Sequence, residues 1–132
     1  MKLTWYAPSG ERRADMPVAE LLAHVRRGGG DYWSVGSGGG LLERGSGEKA
    51  MEIYFLPRLG FHLILRDGRG GPKAAERSPP PARPKWVEIY VGGERMRISS
   101  RQTLNRREAE QALRHFAEHG AADPEFSWQP AR

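Results

Sequence analysis

Apolar and polar residues alternate at every second position in two pairs of runs. Val87-Glu-Ile-Tyr-Val91 and Glu94-Arg-Met-Arg-Ile98 flank Gly92-Gly93, which predicts a β-hairpin with a two-residue turn. Met51 to Leu56 and Phe61 to Arg66 flank Pro57-Arg-Leu-Gly60 and predict a second hairpin with a longer loop. Leu3-Thr-Trp-Tyr6 and Tyr32-Trp-Ser-Val35 are short runs of residues suited to a pleated surface, and each predicts a further strand.

A helical period occurs twice. Val18, Leu21, Leu22 and Val25 form one apolar stripe, with Asp15 as the expected cap and Pro17 tolerated in the first turn. Arg26 and Arg27 suit its C-terminal end, and Gly28-Gly-Gly30 stops it. Ala109, Ala112, Leu113 and Phe116 form the second stripe. Asn105 and Glu108 have the spacing of a reciprocal cap, and Gly120 ends the helix. Asp123-Pro-Glu-Phe-Ser-Trp128 then adds two aromatics after a proline.

Two segments lack a period. Gly36 to Gly47 is rich in glycine and is expected to be a flexible hairpin tip carrying Leu41, Leu42, Glu43 and Arg44, four candidate partner contacts. Residues 67–84 repeat Gly and Pro among scattered charges and are expected to be a mobile loop. Neither half of the chain has enough apolar residues for its own core, so residues 1–132 form one domain. The fold class expected is α+β: a mostly antiparallel sheet of about five to six strands with two helices packed on one face.

Alternation sorts the side chains. Met51, Ile53, Phe55, Phe61, Leu63, Leu65, Val87, Ile89, Val91, Met96 and Ile98 make an apolar set expected to meet the helices. The opposite set holds Glu52, Tyr54, His62, Ile64, Arg66, Trp86, Glu88, Tyr90, Arg95 and Arg97. Tyr, Trp and Arg are enriched at protein interfaces. Cross-strand pairing explains such residues equally well one at a time. As a group they nominate this face as a docking surface, with Tyr54, Arg66, Trp86, Glu88, Tyr90, Arg95 and Arg97 on it and Arg101 carried past it by the next loop.

The net charge of +5 favours polyanions or acidic protein surfaces. The chain has no cysteine, so a disulfide framework, thiolate metal site and cysteine nucleophile are excluded. That suits a reducing compartment. Met1-Lys-Leu-Thr-Trp-Tyr-Ala-Pro lacks a signal-peptide apolar run, and no stretch is long enough to span a bilayer, so a cytosolic location without membrane contact is expected.

The glycine-rich segment lacks the Gly-Lys-Ser/Thr ending of a phosphate loop. His115 and His119 share a helix face without a third ligand at metal spacing. No serine sits in a Gly-x-Ser-x-Gly elbow. No cofactor and no enzymatic activity are expected.

The order of parts resembles the Imm1 family of bacterial immunity proteins. The likeness rests on Gly92-Gly93-Glu94, the Glu108-Ala-Glu-Gln-Ala-Leu-Arg-His-Phe116 helix, Gly120, Pro124 and Trp128. The helix Val18-Ala-Glu-Leu-Leu-Ala-His-Val25 and the strands near 51–56 and 60–66 precede these in the order the family leads one to expect. The family includes inhibitors of deaminase toxins, so the resemblance implies a one-to-one complex with a cognate toxin whose active site is occluded. The basic charge is at odds with mimicry of nucleic acid. A small basic nucleic-acid-binding module, using Trp86 and Tyr90 for stacking beside the arginines, is the alternative.

Overall fold

The computed structural model describes residues 2–27, 32–33, 38–77, 79–91 and 93–131. β1 (Leu3–Tyr6) and the two-residue β2 (Arg12–Arg13) lead into α1 (Val18–Arg27). β3 (Gly39–Arg44), β4 (Lys49–Leu56), β5 (Gly60–Arg66) and β6 (Lys73–Glu76) follow. Then come β7 (Trp86–Val91), β8 (Glu94–Ser99), a 3-10 turn (Ser100–Gln102), α2 (Arg106–His119) and β9 (Ser127–Pro130). Seven strands form one sheet in the order β2-β1-β3-β4-β5-β6-β9, and β7 and β8 form a two-stranded sheet of their own. The class is α+β with antiparallel pairing and both helices on one face of the larger sheet, which has more strands than expected.

The second helix forms as its ends predict. Asn105 Oδ1 accepts from the Glu108 N–H at 2.8 Å, and Glu108 Oε1 accepts from the Asn105 N–H at 2.9 Å. Such a cap contributes about 1 kcal/mol. Gly120, at φ 67°, closes the other end and donates its N–H to the Phe116 carbonyl. The Arg44 guanidinium, reaching over from β3, donates to the free carbonyls of Ala117 and Glu118 at 3.0 and 3.1 Å. A cation there also complements the helix dipole. In the first helix Leu21, Leu22 and Val25 are buried as expected, but the helix begins at Val18. Asp15 is not its cap: it sits at φ 54° and pairs with Lys2 at 3.8 Å.

The expectation of a flexible leucine-bearing tip is overturned. Gly39 to Arg44 is an interior strand paired with β1 on one side and β4 on the other. Its glycines make room for rings. A Cβ on Gly40 would fall 2.1 Å from the Trp5 ring, and one on Gly39 would fall 2.3 Å from the Tyr54 ring, on the other face. Glycine in a strand marks such close approach as well as flexibility. Tyr32 and Trp33 are helical, so the strand expected at 32–35 is not formed by them; Ser34 and Val35 lie outside the described residues. The Trp33 indole donates to the His24 carbonyl and packs edge-on against Trp5 and Phe61.

The long connector is likewise more than a loop. Lys73–Glu76 is a strand between β5 and β9, with Ala74 and Ala75 fully buried. Arg77, next in sequence, ties the β4–β5 turn to the end of the 3-10 turn through the Leu59 carbonyl, the Thr103 carbonyl and the Thr103 hydroxyl. Two alanines carry little strand propensity, which is why the pattern concealed them.

The largest difference is where the β7–β8 hairpin lies. Met51, Ile53, Phe61, Leu63 and Leu65 meet the helix stripes, with Phe55 packed against them. Val87, Ile89, Val91, Met96 and Ile98 do not join them. They cover Tyr54, Leu56 and Ile64 on the opposite face of the large sheet. The face expected to be open is therefore roofed by the hairpin where β4 and β5 cross it. Alternation assigns residues to the two sides of a strand, but it does not say which surface the apolar side will meet.

Gly40→Ala is expected to lower stability by about 1–3 kcal/mol, because the Trp5 ring is buried and must shift. Urea denaturation checks this through the midpoint, with an unchanged slope.

Candidate functional site

The hairpin has one apolar side and one polar side. Glu88 pairs with Arg97 and Tyr90 with Arg95 across the ladder, so all four side chains share the outer face with Trp86. Trp86 is 50% exposed and Tyr90 68%; these are the large exposed hydrophobic residues among those described. The Arg97 guanidinium carbon lies 4.9 Å from the centre of the Trp86 ring. Arg95 approaches Glu88 at 3.7 Å. The stacked pair is held by attraction between the cation and the ring face, roughly 0.5–1 kcal/mol at exposed sites.

A groove of about 350 Å³ runs beside this face, between the hairpin and the β6–β9 end of the sheet. Trp86, Ser99 and Arg101 form its hairpin wall, while Glu76, Gln129 and Pro130 come from the sheet. The 3-10 turn fixes Arg101 in place. Ser99 Oγ accepts from the Arg101 N–H, and the Arg101 carbonyl accepts from the Arg77 N–H at 3.0 Å. Ser100 bonds both ways with Lys85, its N–H donating to the Lys85 carbonyl and its hydroxyl accepting from the Lys85 N–H, each at 2.8 Å. The two ends of the hairpin are thereby locked together. On the floor, Gln102 Nε2 donates to the Pro130 carbonyl at 3.2 Å.

This region carries most of the net charge. Residues 83–101 hold five cations (Arg83, Lys85, Arg95, Arg97, Arg101) and two anions (Glu88, Glu94), or five minus two, +3 of the total +5. Among the described residues no carboxylate lies at ion-pair distance from Arg97 or Arg101.

Beneath the hairpin, His62 is fully buried. Its Nδ1 lies 2.7 Å from the Gln102 carbonyl, and since a carbonyl only accepts, Nδ1 carries the proton. Nε2 is buried with no partner. Burial holds the imidazole below its ordinary pKa, against the smaller opposing effects of that hydrogen bond and of Glu52. Nearby, Glu52 accepts from the Tyr54 hydroxyl and pairs with Arg66. Burial, then the bond to Glu52, raises the Tyr54 pKa.

Of the residues nominated from sequence, Trp86, Glu88, Tyr90, Arg95 and Arg97 come together on the outer face, and Arg101 borders it. Tyr54 does not join them, because at 7% exposure it lies under the hairpin; Arg66 is exposed but belongs to the Glu52 cluster on the larger sheet. Leu42 is fully buried beside Trp5 and Met51. Leu41 and Glu43 point to the other side of β3 and are half-buried, and Arg44 is occupied at the end of α2. The groove residues Ser99, Gln102, Gln129 and Glu76 were not nominated. Glu76 and Gln129 lie in strands β6 and β9, which the pattern did not reveal, and Ser99 and Gln102 lie at and just beyond the end of β8, where nothing in the alternation marks a groove.

The α+β fold presents an exposed aromatic and arginine surface, and among the described residues no cluster of three side chains that could hold a metal ion accompanies it. No helix is long and apolar enough to cross a membrane among those described. The model of the Imm1 immunity protein family matches residues 12–130, so the chain belongs to that family. Comparison with curated proteins and with solved structures found no match.

The fold favours neutral His62, whose ordinary pKa is 6.5, while the unfolded chain binds the proton freely. Its contribution to stability is present above pH 6.5 and is lost as pH falls toward the lowered folded value. The melting temperature is expected to drop between about pH 7.5 and about pH 5.5, and His62→Gln should reduce that drop. Arg44→Ala should cost about 1 kcal/mol in denaturant melts by uncovering the end of α2, while leaving partner affinity unchanged.

Proposed function

We propose that this chain is an immunity protein that binds one cognate toxin, one to one, and neutralises it by covering its active site or substrate entrance. It does so without chemistry of its own. The observation that carries this is the outer face of the β7–β8 hairpin in a member of the Imm1 family. Trp86 and Tyr90 stand exposed on one strand, separated by roughly 13 Å at the strand rise, with Arg97 stacked on the first. Such residues supply most of the binding energy at interfaces. They are also held ready. The hairpin's inner side is packed on the sheet and its two ends are joined through Lys85 and Ser100. Little ordering remains to be done on binding. The cytosol is the compartment proposed, in keeping with a chain that has no cysteine.

The basic charge directs the mechanism. A chain of net +5 does not imitate a polyanionic substrate; it inhibits by occlusion and by charge complementarity with an acidic surface. The stacked Trp86–Arg97 pair also suits unpaired bases, which keeps nucleic-acid binding as the second reading. Steep weakening of DNA or RNA binding with salt would mark that reading.

The toxin domain encoded beside this chain is expected to co-purify with it at one-to-one stoichiometry. Replacing Trp86 and Arg97 together by alanine should weaken the complex by roughly 30-fold, about 2 kcal/mol, with an unchanged melting temperature. Calorimetric titration reads both stoichiometry and affinity. Equal affinity in the double variant would remove the hairpin face from the interface.

A further inference from the structure

The outer face of the hairpin continues into the groove at the β6–β9 end, and the two differ in character. The outer face is aromatic and cationic. The groove is lined by neutral polar residues and by two opposite charges: Arg101 from the hairpin side and Glu76 from the sheet side. Neither charge is neutralised by the other, since among the described residues no ion pair joins them.

Building on the toxin-binding proposal, we infer that the groove and the Trp86–Arg97 pair above it receive an acidic segment of the toxin, with carboxylates meeting Arg97 and Arg101. Three observations carry this. First, +3 of the net +5 charge falls within residues 83–101. Second, Arg97 and Arg101 lack carboxylate partners among the described residues, so they are left to bind one. Third, both are held in place before binding, Arg97 by the Trp86 ring and Arg101 by backbone bonds on either side of it. A guanidinium presents paired donors that match the two oxygens of a carboxylate.

Glu76 sets the direction of the segment. It repels a carboxylate at the sheet wall and favours a hydrogen-bond donor there, so the acidic side chain lies at the hairpin wall. The Gln102 and Gln129 side chains, which also line the groove, offer amide oxygens that can accept backbone N–H groups of an extended segment. A nucleic-acid strand is less well served. Glu76 would face its phosphates, and the groove is bounded by Pro84 and Pro130 in place of further cations.

The test is the kinetics of binding to the neighbouring toxin domain at about 50 mM and about 300 mM salt. Arg97→Glu and Arg101→Glu are each expected to lower affinity at least tenfold. Much of the loss should be in the association rate at low salt, because steering depends on charge. Arg107→Glu, on α2, carries the same charge change away from the groove and should leave affinity within twofold. Melting temperatures confirm folding, and Arg101→Gln serves if the glutamate variant unfolds. Full toxin affinity in both groove variants would overturn this inference while leaving the toxin-binding proposal intact. Absence of toxin binding by the unaltered chain would overturn the proposal itself. A single-stranded oligo(dT) that binds at physiological salt and is lost in both groove variants would overturn the inference in favour of nucleic acid.

Discussion

The strands β4 and β5 are covered on both faces, and the rest of the molecule depends on this. The helices take Met51, Ile53, Phe61, Leu63 and Leu65; the hairpin takes Tyr54, Leu56 and Ile64. Burying a large aliphatic side chain contributes roughly 1.5–3 kcal/mol. Ile98 and Ile64, 1% and 4% exposed, belong to the one buried cluster that fills this second layer. The hairpin does not pair with the larger sheet, so these apolar contacts and the Arg77 bridge to Arg101 and Thr103 just beyond it hold it in place. Because its inner side is fixed, its outer side is presented as a defined surface.

The polar groups follow the same division. The buried ones have structural work, as His62 bonds the Gln102 carbonyl and Thr103 the Ser100 carbonyl, and so does the half-buried Arg44, which closes α2. The outward arginines of the hairpin do not. Arg97 rests on a ring and Arg101 stands at the groove wall. A guanidinium satisfied by carbonyls inside the fold and one left facing solvent are the same chemical group. Only the three-dimensional arrangement separates Arg44, which is part of the scaffold, from Arg97, which stands on the exposed face of the hairpin.

Much of this was legible in the chain. The capped helix at Asn105, the stripe through Leu21 and Val25, both hairpins and the outward set Trp86, Glu88, Tyr90, Arg95 and Arg97 follow from periodicity. What remained hidden did so for physical reasons. Gly39 and Gly40 carry no side chain to signal a strand, and the reason for them lies in Trp5 and Tyr54, remote in sequence. Ala74 and Ala75 are fully buried in β6, yet such small residues carry little strand preference. The side of the sheet taken by the hairpin is decided by tertiary packing, which no local pattern encodes. The groove inherits both gaps, since it exists only where a hidden strand and a misplaced hairpin meet.

That last point bears on how such a surface acquires specificity. The layers beneath it are fixed by apolar burial, which tolerates conservative change. The outward residues of β7 and β8 touch little of that core, so they are free to vary without unfolding the chain. A binder that must match one partner and reject others gains by separating the two roles, because charges that discriminate need not be compatible with a packed interior. Here the separation follows the alternation of a single hairpin: Val87, Ile89 and Val91 hold it down, and Trp86, Glu88 and Tyr90 face outward. The opposed charges of Arg101 and Glu76 extend this to the groove, where a carboxylate is favoured beside the arginine and repelled beside the glutamate.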